Sequence, residues 1–262
     1  MMKNSEAVGH HGDLAPLTVP DHWNEKWEHK PDISYLRNLR WIRRYLYQQL
    51  HREFLNSLPV DESKKFLEVG CGSGRWLVYF HKQFRYDVHG IDYSLKAVEL
   101  TQEVLSIAKV PAKVLCSSME DDDLDMRYDV VFSDGFLEHF KRPEAVLAKL
   151  FSFVKPGGTL ITIVPNLTGF HRSCIRRFGH EERIFKTHRT VTRQQLLDWY
   201  QALGCENTRC LFFGSILPKV YPLPGVITKP LNVVIRMAAL AGIAIEGESV
   251  SSTYLASGTK PL

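Results

Sequence analysis

The chain has 262 residues, 44% hydrophobic and 24% charged, which is enough apolar content for one large domain with a substantial core. Five cysteines, at 71, 116, 174, 205 and 210, show no Cys-x-x-Cys spacing, and the eleven histidines are scattered; this argues against structural zinc or a disulfide framework, and no metal site is expected. The formal charge of +4 gathers between Arg37 and Arg52 and between His171 and Arg193, which suits an acidic substrate, anionic lipid headgroups or RNA, or simply a solvated helix face. No positively charged leader followed by an apolar run opens the sequence, so the reduced cytoplasm is the expected location.

Residues 1–20 mix Gly, His, Pro and charge without periodicity and are expected to be disordered. Trp23 and Trp27 then fall four apart on one helical face, which reads either as core packing or as a lid. Leu36, Leu39, Ile42, Leu46 and Leu50 repeat at three-to-four spacing while Arg37, Arg43 and Arg44 fall elsewhere, the pattern of an amphipathic cover helix. A strand at 65–69 follows, then Gly70, Gly72 and Gly74, then a helix from Leu77 to Phe84. Glycines let a backbone press against a small ligand at the carboxyl end of a strand. The order Glu68-x-Gly70-x-Gly72-x-Gly74 departs from the G-x-G-x-x-G dinucleotide fingerprint and disfavours a nicotinamide site. A second strand at 87–91 ends at Asp92, whose carboxylate can accept from both ribose hydroxyls; the alternative is a structural turn with Asp92 capping the next helix. Ser94 to Ala108 and Pro143 to Phe153 read as helices, and 112–116, 128–133 and 158–164 as strands. This alternation predicts a parallel sheet covered on both faces, with Gly70, Asp92 and Ser133 converging at its carboxyl edge.

The stretches Glu68 to Gly74, Asp92, Tyr128 to Phe140 with its Leu-Glu-His ending, and Val154 to Val164 occur in the order found in class I S-adenosylmethionine-dependent methyltransferases, and over residues 60–166 the chain resembles their type 11, small-molecule branch. The resemblance implies a Rossmann-like, seven-stranded, mostly parallel α/β sheet with helices on both faces, and S-adenosyl-L-methionine as cofactor. Glu68 would then face the methionine end, Gly70 and Gly72 would bring the backbone close, and Asp92 with Tyr93 would hold the ribose. Ser118 and Met119 would contact adenine, with Glu120 or Asp121 as a carboxylate, since relatives with an acid near 117 have their counterpart in a serine here. Ser133 would meet the cofactor's amino group or be a plain strand-end serine. His139 is the first candidate for a general base, or else orients its loop; His171, His188 and Tyr200 are weaker candidates. The implied activity is methyl transfer to a small-molecule acceptor, with O-methylation preferred; an RNA methyltransferase and a non-catalytic nucleoside-binding protein are the alternatives.

Beyond the fifth strand, an insertion at 167–190 alternates Arg172, Arg176, Arg177, Arg183 and Arg189 with Phe170, Ile175, Phe178 and Phe185, suited to an anionic or lipid-like acceptor or to peripheral membrane contact. A helix capped by Thr192 runs to Gly204 and leads to a sixth strand at 207–214. A second insertion at 217–249 carries the apolar run Leu231 to Ile245, too short to cross a bilayer and expected to be buried over the acceptor pocket or attached at an interface. A seventh strand is expected at 252–259, closing a single domain over 21–262 whose first part, 21–58, is a helical cover.

Overall fold

The computed structural model of the chain describes residues 14–28, 45–119, 127–214 and 247–262, together with the helical positions 226, 227, 230, 233, 234 and 237. Seven strands form one sheet: β1 (Lys65–Val69), β2 (Asp87–Asp92), β3 (Ala112–Cys116), β4 (Tyr128–Asp134), β5 (Val154–Pro165), β6 (Glu206–Phe213) and β7 (Thr253–Thr259). Their order is β3-β2-β1-β4-β5-β7-β6. β1 to β5 run parallel, and β7 inserts between β5 and β6, antiparallel to both. The order reverses between β1 and β4, so a crevice opens beyond the carboxyl ends of those two strands.

The helices are α1 (Pro20–Glu28), α2 (Tyr45–Ser57), α3 (Arg75–Phe84), α4 (Leu95–Ala108), α5 (Pro143–Ser152), α6 (Gly169–Arg177), α7 (Glu181–Phe185) and α8 (Arg193–Ala202). Strand residues alternate between two cores, as the two-residue period of a strand requires. Phe66, Val88, Phe132 and Ile161 pack with Phe54 of α2 and with Trp76 and Phe80 of α3. Leu67, Val131 and Leu160 pack on the opposite face with Val146 and Leu150 of α5 and with Leu196 and Tyr200 of α8. Each fully buried side chain of this kind contributes about 1.5–3 kcal/mol, so the two cores fix the sheet rigidly beneath the crevice. α4 starts where the sequence places its cap: the Ser94 hydroxyl accepts from the Ala97 N–H at 3.2 Å. α8 carries a complete capping box between Thr192 and Gln195.

Three expectations change. Residues 14–20 are not disordered: Leu17 N–H donates to the His139 carbonyl at 2.7 Å, Lys141 N–H to Ala15 at 3.1 Å, and Pro16 pairs with Phe140. A backbone that borrows hydrogen bonds from the loop after β4 carries no periodicity of its own, which is why the sequence pattern misses it. Part of 167–190 serves its own packing, since Phe178 and Phe185 cover a small core of Leu167, Cys174, Ile175 and Ile184 and Arg172 lies 3.9 Å over the Phe185 ring, while Arg176, Arg177, Arg183 and Arg189 stay exposed. Of the run Leu231 to Ile245, the described residues Val233, Val234 and Met237 are exposed, which speaks against burial over a pocket and leaves the reading of attachment at an interface open. The expected helix turns at Leu36, Leu39 and Ile42, and the residues Glu120 and Asp121, lie outside the described residues. Among the described residues, no helix is long and apolar enough to cross a membrane.

Candidate active site

The turn after β1 is built by backbone bonds to β2: Gly70 and Cys71 N–H both donate to the Ile91 carbonyl, at 2.8 and 3.1 Å. Gly70 and Gly72 have φ of +74° and +50°, the left-handed region that favours glycine. A Cβ at Gly70 would lie 2.5 Å from the Phe136 ring, and one at Gly72 would lie 2.9 Å from Trp27, so both positions are closed to a side chain. Asp92, only 8% exposed, holds this turn with one carboxylate oxygen and the next helix entry with the other: Gly72 N–H reaches Oδ2 at 3.0 Å and Ser94 N–H reaches Oδ1 at 2.9 Å. Burial pushes its carboxyl pKa up, while those two N–H groups oppose the shift. Ser94, not Asp92, caps α4.

Two adjoining cavities meet at Gly70, Asp92 and Tyr93. The smaller, about 100 Å³, is lined by Ile91, Ser118, Met119 and Phe140. The larger, about 520 Å³, reaches from Trp23, Lys26 and Trp27 of α1 to Arg75, Asp134, Glu138, His139 and His188. Seven of the nine sequence-derived site residues therefore come together: Gly70, Gly72, Asp92, Tyr93, Ser118, Met119 and His139.

Glu68 and Ser133 do not line either cavity. Glu68 is buried on the α3 side of β1, where its carboxylate accepts from the Leu77 N–H in the first turn of α3, and its Oε2 has no hydrogen-bond partner among the described residues. That places a hydrogen-bond acceptor at a helix start that lacks a side-chain cap of its own. Burial raises its pKa well above the carboxylate range, with Arg75 opposing. Ser133 is fully buried, and the strand period turns the next residue, Asp134, to the crevice in its place. Asp134 takes an ion pair from Arg75 and a hydrogen bond from Trp76 Nε1 at 2.8 Å, and Arg75 also donates to the Tyr47 hydroxyl at 2.9 Å. Neither residue of this pair is among the expected site residues, although Asp134 directly follows Ser133 along β4.

His139 lies in the cavity in a form unsuited to the expected base role. Its Nδ1 donates to the Thr187 carbonyl at 2.7 Å, and burial, with His188 beside it, pushes its pKa down to about 3. A conjugate acid that strong holds an acceptor's proton poorly near neutrality. His188 is likewise lowered by burial, to about 4, and burial with nearby Asp134 raises Glu138 to about 8. Arg189 N–H donates to the Glu138 carbonyl at 2.6 Å, which clamps the segment after α7 onto the turn Leu137–His139. The remaining base candidates lie elsewhere: His171 Nε2 bonds the Val250 and Ser251 carbonyls, and Tyr200 is buried against Thr162 and Ala256. One ligand atom from each of Glu138, His139 and His188 lies within 4.8 Å of the others. The sequence gives no sign of this cluster, because His188 comes from beyond β5, α6 and α7.

The model of a methyltransferase domain family matches residues 27–209. Phosphoethanolamine N-methyltransferase 3 of Arabidopsis thaliana is 27% identical over 111 residues, 42% of this chain and 23% of that protein. The ubiquinone biosynthesis O-methyltransferase of Chromobacterium violaceum is 31% identical over 137 residues, 48% of this chain and 57% of that protein. The chain thus spans well under two thirds of these curated relatives. Among solved structures, Haemonchus contortus phosphoethanolamine N-methyltransferase 2, in complex with phosphomonomethylethanolamine and S-adenosylhomocysteine, superposes with a TM-score of 0.59 at 12% identity, covering 94% of this chain and 61% of that one. A glycine turn tied to a strand-end aspartate, set in this sheet order and matched by a family model over most of its length, places the chain in the methyltransferase domain family of class I, S-adenosylmethionine-dependent enzymes.

Proposed function

We propose that the chain transfers a methyl group from S-adenosylmethionine to an oxygen of a small-molecule acceptor bound in the larger cavity. The observation that carries the reading is the position of Asp92, where the two cavities meet and beside two glycines whose Cβ positions are closed. The cofactor supplies an already activated methyl group on a sulfonium, so the protein's task is alignment and exclusion of water. Asp92 offers its carboxylate to the ribose hydroxyls, and Ser118 and Met119 line the small cavity as the adenine wall. At the other end, Arg75 and Asp134 present a cation and an anion side by side, complementary to the carboxylate and ammonium of an amino acid. Trp23 and Trp27 cover the crevice from α1.

The acceptor side favours a hydroxyl. Glu138, His139 and His188 bring polar groups to the cavity, with which a neutral hydroxyl can exchange hydrogen bonds. The relatives act on small molecules by name, one at nitrogen and one at oxygen.

Calorimetry with S-adenosylhomocysteine tests the reading. Wild-type protein should bind it and not NADH, and Asp92→Ala should weaken binding at least about tenfold, the loss of one charged hydrogen-bonding group. Absence of binding to the wild-type chain would overturn the proposal.

A further inference from the structure

We infer that Glu138, His139 and His188 form a binding site for a divalent first-row transition metal ion of the zinc, cobalt or iron(II) class, on the acceptor wall of the larger cavity. Two imidazoles and one carboxylate are a donor set that such ions take with coordination positions left open. The two histidine rings lie 4.4 Å apart between centroids, and His139 Nε2 is 3.9 Å from Glu138 Oε1. Glu138 and His139 are 2% and 7% exposed, and His188 is half-buried.

The surroundings prepare the ligand atoms. The Thr187 carbonyl can only accept, so His139 carries its proton on Nδ1 and keeps a lone pair on Nε2. His188 Nδ1 lies 3.2 Å from the Ile184 carbonyl and 2.8 Å from the Thr187 hydroxyl; a proton on Nδ1 satisfies the carbonyl and again leaves Nε2 as the donor atom. Backbone carbonyls that hold the far nitrogen of each imidazole are the usual outer shell of a metal site. Glu138 Oε2 is buried without a hydrogen-bond partner among the described residues. A cation between the three groups would give that oxygen the partner it lacks. Binding would draw the three ligand atoms from within 4.8 Å of one another to the spacing of roughly 3.4 Å that metal–ligand bonds of about 2.1 Å demand.

Lys26 is the competing counter-charge. It lines the same cavity, is attracted by the Glu138 and Asp92 carboxylates, and sits 4.2 Å over the Trp23 ring. The open positions on the ion suit oxygen donors of the acceptor; that role rests on the methyl-transfer reading, whereas the metal site itself does not.

The test is titration of chelator-treated, full-length protein with Co²⁺, followed by visible absorption and calorimetry, with S-adenosylhomocysteine affinity measured on the same samples. Wild type should bind one equivalent of Co²⁺ and unfold at higher temperature with it. His188→Ala and Glu138→Gln should each weaken Co²⁺ at least about tenfold and lose that thermal shift, while Lys26→Met should tighten it. S-adenosylhomocysteine binding without stoichiometric Co²⁺ binding would overturn the metal site and leave the methyl-transfer reading intact. An equivalent of Co²⁺ that survives in the His139→Ala, His188→Ala double variant would also overturn it.

Discussion

Glu68 and Asp92 are both carboxylates at the tips of neighbouring parallel strands, yet their surroundings separate their roles. Asp92 accepts two backbone N–H groups and stands at the wall of both cavities. Glu68 faces inward, with one oxygen lacking a partner, and burial raises its pKa well above the ordinary carboxylate value. A carboxyl whose folded pKa is raised binds more protons in the native than in the unfolded state, so its contribution is present below the unfolded value of about 4.3 and is lost as pH rises through the folded one. Glu68→Gln removes this term and leaves an acceptor for the Leu77 N–H. Urea midpoints of wild type and variant should therefore diverge in the variant's favour as pH is raised from mildly acidic values, by about 1–3 kcal/mol in all. Parallel curves would show that Glu68 has a partner and an unshifted pKa. At this scale Asp92 was legible because an acid ending an apolar run after a glycine turn has few other uses. Glu68 was expected at the crevice from the family resemblance and Ser133 from the strand tip, but neither signal fixes the face on which a strand residue lies; the alternation gives Asp134 to the crevice only once the sheet fixes the parity.

Helices and strands were read to within a residue or two wherever their own caps and apolar faces define them, as with Ser94, Thr192 and the strands at 65–69 and 112–116. What the pattern left open was which helix covers the crevice and which only fills the sheet. Trp23 and Trp27 allowed either reading; in the structure both are half-buried and line the larger cavity, and Asn24 ties α1 to the start of α4 by accepting from Ser94 Oγ at 2.8 Å. α8 is the opposite kind of element, packed on the core of Leu67, Val131 and Leu160 with none of its residues lining either cavity. Two substitutions separate these roles. Thr192→Ala removes a capping box and should lower unfolding free energy by about 1 kcal/mol without changing S-adenosylhomocysteine affinity. Trp27→Ala should instead weaken that affinity about tenfold with a smaller stability loss than truncation of a fully buried tryptophan, since the half-buried ring covers the Gly72 turn as well as packing against the core. Calorimetry and urea melts on both proteins check the pair, and a stability loss in Trp27→Ala with unchanged affinity would reassign α1 to the core.

In the whole molecule the crevice is bounded by parts that no local pattern connects: the β1 and β2 tips, the loop after β4, α1 with residues 14–20, and the segment after α7 that carries His188. The parallel half of the sheet was legible from alternation, whereas these closures depend on backbone pairing such as Leu17 to His139 and Arg189 to Glu138, which leaves no trace in hydropathy. A ligand that touches several of these parts stabilises all of them together. At a hundredfold excess over its dissociation constant, S-adenosylhomocysteine should add about 2.7 kcal/mol to the unfolding free energy, and a tenfold weaker Asp92→Ala should keep only about 1.4 kcal/mol of this at the same concentration. Hydrogen exchange should locate the gain. If α1 and residues 14–20 cover a cofactor lying across the β1 and β2 tips, their amides should slow on binding along with those of the 70–72 turn, because opening the cover then requires release of the ligand. Protection confined to the turn and β2, with residues 14–28 exchanging as before, would mean that the amino-terminal segment packs beside the cofactor without closing over it.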